Sequence, residues 1–178
     1  MIFFGHVGIT TAVVKAYENI SKQHKDKKNK VHIDYRVVMI GSILPDIIDK
    51  PIGAYFFRNV FHNSRIFAHS LIFSIILISI GAYYFYKKKN NNVLLLGVGS
   101  FIHLILDSMW LYPRILFWPF SGGKFPTRPE GNWLASDMIG LMRNPYVYGP
   151  EIIGALIIIY YLFKNRKQLR KFIINGTL

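Results

Sequence analysis

The chain contains no cysteine, which excludes disulfides and thiolate ligands, so any metal must be held by imidazole and carboxylate. Charge is scarce as well. Only 17% of the 178 residues are Asp, Glu, Lys or Arg, against 52% hydrophobic and 16% aromatic, and the mean hydropathy is positive. A soluble domain of this size rarely carries so much apolar surface. There is no internal repeat. The N-terminus MIFFGHVG has neither a basic leader nor a small-residue cleavage site, so no removable signal peptide is expected. The glycines of WPFSGGKFP (residues 118–126) are not followed by Lys-Ser/Thr, which makes this stretch a turn and not a phosphate loop. The length suits a single domain, residues 1–178.

Against those absences stand a net charge of +13 and five apolar segments. So basic a chain raises the question of nucleic acid. Here, however, the Lys and Arg residues cluster in short runs between apolar stretches, the pattern of loops beside membrane spans, and no nucleic-acid partner is expected. The segments cover residues 2–20, 33–48, 67–86, 93–110 and 150–163. The third has no charged residue and is long enough to cross a bilayer; the fourth and fifth also read as spans. Lys15, Glu18 and several Gly and Ser residues dilute the first two, which read as buried helices or partial spans. The expected fold is therefore all-α, a polytopic membrane bundle of four to five helices.

The basic runs give the bundle a direction. KQHKDKKNK, KKK and KNRKQLRK each follow an odd-numbered segment, and with Lys15 and Arg36 that side collects 15 of the 22 basic residues. The positive-inside rule puts this side, and the C-terminus, in the cytoplasm. Trp110, Trp118 and Trp133 then fall on the outer side as an interfacial belt, with residues 111–149 as an outer loop carrying a short helix near 133–142.

On the same drawing, potential metal ligands from four segments converge at the outer ends. These are His6, Asp46 and Asp49 in LPDIIDKP, His69 in NSRIFAHSL, and His103 and Asp107 in SFIHLILD. His24 and His32 lie in the cytoplasmic connection, and His62 lies in an outer loop. His103 and Asp107 are four apart, so both project from one helix face. Ionisable groups inside apolar segments are expensive and usually functional. Pro45 biases Leu44 away from helix, so a turn or cap is expected there, with a carboxylate aimed into a cavity. Imidazole and carboxylate without thiol suit zinc, manganese or iron. Arg65, four residues before His69, offers a planar fork for phosphate or carboxylate, or else anchors a helix end at the headgroups.

The combination of His6, LPDIIDKP, NSRIFAHSLIF, GSFIHLILDSMW and YPRILFWPF resembles the prokaryotic inner-membrane-associated metal-dependent hydrolases over about residues 5–126. More remotely, the order His, Pro-Asp, His, His-x3-Asp is similar to that of zinc-dependent phospholipases C. The resemblance implies His6, Asp46, His69, His103 and Asp107 as metal ligands. Asp49 departs from the pattern, standing three residues after Asp46 where many relatives have two. The further His and Glu ligands of a three-zinc site are missing, so one or two metals are expected.

The resulting expectation is a multi-pass protein of the cell (inner) membrane with an extracytoplasmic metal site, zinc first among the candidates. It would hydrolyse a phosphoester of a lipid or lipid-linked substrate. Asp46 or Asp49 would accept a proton from water, and Arg65 would hold the phosphate. Two alternatives use the same residues: a small transporter or ion pathway, for which a homodimer would double the helices, and a non-catalytic membrane interaction protein presenting its basic segments to a partner or anionic lipid.

Overall fold

The computed structural model describes residues 2–24, 32–127 and 133–178, and every regular element among them is helical. Five helices correspond to the five apolar segments: α1 (Phe4–His24), α2 (Tyr35–Asp49), α4 (Leu71–Lys88), α5 (Asn92–Leu106) and α8 (Pro145–Lys164). Shorter helices decorate their ends: α3 (Arg58–Phe61), α6 (Pro113–Leu116), α7 (Trp133–Arg143) and α9 (Leu169–Asn175). The expected helix near residues 133–142 is α7. Most of the basic run after α1, together with Arg128, lies outside the described residues.

The long helices stack as a row in the order α4, α5, α2, α1, α8, with α1 also touching α5. Glycine permits this close approach. A Cβ on Gly41 or Gly99 would collide with the facing backbone across the α2–α5 contact, and one on Gly8 or Gly154 would do so across α1–α8. Small residues let the two backbones come close enough for tight van der Waals contact. The outward faces remain apolar. α4 and α8 are long and apolar enough to cross a bilayer, yet only 11% of each span is buried within the protein, unlike the core helix of a soluble domain. α5 is apolar but has 15 residues, and α1 carries Lys15, Glu18 and Lys22 in its second half.

Local sequence sets several helix ends. Asp34 caps α2 by accepting from Arg36 N, Ser70 caps α4 by accepting from Phe73 N, and Asn144 caps α8 by accepting from Tyr146 N. Lys87 and Lys88 occupy the last turn of α4, where cations complement the helix dipole.

The expectation of a break at Pro45 is corrected. α2 runs through Pro45 to Asp49 and continues as a π-helical segment, Lys50–Phe56. Pro45 removes one backbone donor, but Gly41, one turn earlier, packs against the backbone of Leu95 and Leu96, and that contact holds the helix in place. Side chains of two of the three Trp residues of the expected belt are described. Trp110 is exposed, whereas Trp118 is half-buried among Phe67 and Phe125 in an aromatic cluster that folds residues 117–125 back onto the loop before α4. The side chain of Trp133 lies outside the described set.

Candidate metal centre

Successive long helices reverse direction along the chain, which leaves the neighbours α5 and α2, and α1 and α8, parallel, and the start of α1, the end of α2, the lead-in to α4 and the end of α5 meet at one end of the bundle. His6, Asp46, Asp49, His69, His103 and Asp107 are all there. His6, His69, His103 and Asp49 are 0% exposed, an unusual concentration of titratable groups away from water.

Hydrogen bonding fixes how two of the imidazoles face. His103 Nδ1 lies 2.7 Å from the carbonyl oxygen of Ser42 on α2. A carbonyl only accepts, so Nδ1 carries the proton and Nε2 is left with a lone pair. His69 Nδ1 likewise donates to Asp49 Oδ2 at 2.7 Å. The two Nε2 atoms, each turned away from its anchor, are 3.3 Å apart. Two lone pairs that close repel one another unless a cation or a proton lies between them. Around this pair, Asp46 Oδ1 is 3.4 Å from His69 Nε2, and Asp107 Oδ2 is 4.0 Å from His69 Nε2 and 3.9 Å from His103 Nε2.

The third imidazole has no such anchor. His6 stacks on His103 with ring centroids 4.0 Å apart and planes 16° from parallel. Its Nε2 lies 3.2 Å from Asp107 Oδ1, yet neither ring nitrogen has a hydrogen-bond partner of proper geometry. Leaving a buried polar group unsatisfied costs about 1–3 kcal/mol, so an orphan imidazole facing a carboxylate is what a ligand lacking its ion would look like.

The spacing of these donors fits a metal. Tetrahedral zinc with bonds of about 2.0–2.2 Å sets its ligand atoms about 3.3–3.6 Å apart, the separation seen between the two Nε2 atoms and between His69 and Asp46. Two overlapping triads, His6–Asp46–His103 and His69–His103–Asp107, each bring one donor atom per residue within 4.8 Å of the others. Each carboxylate has Oδ1 nearest an imidazole and Oδ2 paired with a cation at the rim, the Oδ2 of Asp107 also standing about 4 Å from His69 and His103. Lys50 Nζ is 2.8 Å from Asp46 Oδ2, and Arg65 Nη2 is 2.6 Å from Asp107 Oδ2. The Arg65 guanidinium also lies over the ring of Tyr112, 5.7 Å from its centroid.

Asp49 differs from the expectation that it ligates metal or takes a proton. Its carboxylate accepts from Ile66 N at 2.8 Å, Ala68 N at 2.9 Å and His69 N at 3.0 Å, besides His69 Nδ1. The loop before α4 wraps over the end of α2 and fills this carboxylate with amide donors. Asp49 therefore organises the loop and orients His69, the supporting role that a carboxylate commonly plays behind a ligating histidine. Asn63 pins the same loop, accepting from Arg65 N and donating to Pro126 O.

The remaining histidines stay out of the cluster. His62 is exposed at the end of α3 with a left-handed backbone (φ 47°). The carbonyl of His32 accepts from Asn91 at the far end of the bundle. His24 ends α1, 18 residues and so about 27 Å along the helix from His6. The residue-level reading missed Glu151, which is buried in α8 and accepts from Ile2 N, Phe3 N and Phe4 N. A carboxylate inside an apolar segment was the available signal.

The family model described as "YdjM inner membrane protein" matches residues 1–173. No curated protein and no solved structure matches the chain, so the remoter likeness to zinc-dependent phospholipases C has no support from these comparisons.

Proposed function

The chain belongs to the YdjM inner membrane protein family, and from that premise we propose that it is a membrane-bound metal-dependent hydrolase acting on a phosphoester of a lipid or lipid-linked substrate. The observation that carries this reading is the 3.3 Å approach of His69 Nε2 and His103 Nε2 while both Nδ1 protons are spent on Asp49 and Ser42. Imidazole and carboxylate donors suit zinc first, then manganese or iron. His6, His69, His103, Asp46 and Asp107 hold the ion, in a bundle whose five long helices are embedded in the membrane. The basic runs put the opposite end in the cytoplasm, and hence the centre on the extracytoplasmic side.

A bound divalent cation supplies Lewis acidity that eases water ionisation and charge that offsets a phosphoryl oxygen. The chain's own groups do the rest. Asp46 sits at the edge of the cluster with its side chain 11% exposed and takes the proton from an attacking water. Asp49 is saturated and serves to fix His69. Arg65 and Lys50, 19% and 23% exposed, line the rim and receive the anionic group. Exposed apolar side chains follow the cluster in the chain: Tyr55, Phe56 and Phe57 after Asp49, and Trp110, Leu111 and Tyr112 after Asp107. A cationic pair together with exposed aromatics suits a substrate with a phosphate head and an apolar tail.

Element analysis of the detergent-purified protein tests this. The expected result is about one or two equivalents of metal, lost in His69→Ala and in Asp107→Ala, with metal-dependent release of phosphate or headgroup from phosphoester lipids in vesicles. Unchanged metal in His69→Ala defeats the reading. A second reading rests on the same contact, since a shared proton between the two Nε2 atoms also relieves their repulsion. A metal-free protein that moves protons or ions across proteoliposomes would establish that one instead.

A further inference from the structure

Of the three clustered imidazoles, His69 is oriented by Asp49 and His103 by the Ser42 carbonyl, each through Nδ1. Neither nitrogen of His6 has such a partner. Beyond its stacking on His103 and its approach to Asp107, its place in the cluster depends on its backbone, and the start of α1 is poorly equipped to fix one. Phe3, whose carbonyl accepts the first helical bond from Val7 N, stands at the capping position in the run Ile2-Phe3-Phe4-Gly5. None of these side chains can accept a hydrogen bond, so the free N–H groups of the first turn have no local partner.

Glu151 provides it from another helix. Its Oε1 accepts from Ile2 N at 2.6 Å and Phe3 N at 3.2 Å, and its Oε2 accepts from Phe3 N at 3.1 Å and Phe4 N at 2.8 Å. The residue is 7% exposed, so these bonds are shielded from water, and a carboxylate also suits the positive end of the α1 dipole. One turn along α8, Gly154 lies against the backbone of Phe4 and Gly5, and Gly8 against Gly154, so α8 meets α1 on both sides of His6 without a side chain between them.

We infer that Glu151 is a positioning residue of the metal centre: it caps α1 from α8 and thereby holds His6 against His103 and Asp107. This rests on the metal-centre reading above. It extends the centre to a helix that contributes no ligand, since α8 packs chiefly on α1 and α7. Glu151 does for His6, through the backbone, what Asp49 does for His69 through the imidazole.

The test uses the full chain in detergent with Glu151→Gln, which preserves side-chain volume, alongside Glu151→Ala, His6→Ala and, as an α8 control, the exposed Leu156→Ala. Amide hydrogen exchange at residues 2–8 needs no metal. It should quicken at least tenfold in both Glu151 variants and not in Leu156→Ala. Zinc affinity by chelator competition should fall about 10- to 100-fold in Glu151→Ala and less in Glu151→Gln, which keeps one acceptor oxygen. The visible spectrum of the cobalt-loaded Glu151→Ala protein should shift toward that of His6→Ala, a change that loss of stability alone would not produce. Unchanged exchange at residues 2–8 overturns the inference whether or not metal binds. So does a wild-type cobalt spectrum and affinity in Glu151→Ala when His6→Ala alters both. If the wild-type chain binds neither zinc nor cobalt, the metal-centre reading fails, and with it any role for Glu151 in that centre; faster exchange would then leave it as a helix cap only.

Discussion

Carboxylates gather at both ends of this bundle, but in different company. At the basic end, Glu18 accepts from Lys15, Lys22 and the hydroxyl of Tyr35, and Asp34 from Arg36. The Arg36 guanidinium reaches on to the carbonyls of Ile173 and Ile174, while Tyr35 N donates to Gly176 O, and these bonds tie α9 beneath α2. Every acceptor named there faces a donor, and Lys22 and Arg36 remain partly exposed to water. At the other end Asp46 and Asp107 each turn Oδ1 to a buried imidazole, while Lys50 and Arg65 pair with their Oδ2 atoms. The basic end is a closed set of ion pairs that fastens the chain. The other end has a surplus of buried acceptors, which a cation would complete.

That contrast can be broken most severely at the centre itself. His103→Ala removes a donor common to both triads, and bound metal should fall to background with phosphoester turnover down by about a thousandfold or more, read by element analysis and headgroup release. Retained metal would mean the two ends do not differ in kind. Asp49→Ala strips four donors of their buried acceptor. It should destabilise the protein by about 3–5 kcal/mol in detergent unfolding and abolish metal binding by releasing the loop around His69. Gly154→Ala forces a methyl into the backbone of Phe4; separating α1 from α8 should cost about 1–3 kcal/mol and weaken metal binding severalfold, measured by unfolding and chelator competition. The smallest effect belongs to the basic end. Glu18→Gln should change stability by about 1 kcal/mol or less and leave metal content unaltered, because its ion pairs are partly solvated and remote from the cluster. A loss of metal in that variant would erase the distinction.

Much of the architecture follows from simple patterning. Apolar segments at residues 67–86 and 150–163 became α4 and α8, with starts shifted by four and five residues to where Ser70 and Asn144 supply caps. His103 and Asp107 approach one another because four residues make about one helical turn, a local relation that needs no tertiary knowledge. Asp49 could not be read that way. Whether it faced the centre or the protein interior depended on a loop delivering amides to it from 17 to 20 residues downstream. Pro45 misled for a related reason: its local preference was real, but the α2–α5 contact at Gly41 outweighed it. Glu151 was visible only as an acid in an apolar stretch, because the helix start it caps lies about 150 residues away.

The sequence by itself determined the solvent and the inventory. A cysteine-free chain rich in apolar segments, with its cations in runs between them, dictates helices in a membrane and restricts any metal to imidazole and carboxylate. It also placed six candidate ligands at the starts and ends of successive segments in turn, so that reversing direction from one segment to the next brings those ends together. Tertiary structure alone decided which atoms of those residues face one another. A hydrogen bond from each Nδ1 to a distant partner selects the tautomer and aims Nε2, and the partners of Asp49 and of the α1 N-terminus are set by packing across the row. Composition and spacing fix which groups are present and roughly where, but the direction of a lone pair depends on contacts that only the folded chain makes.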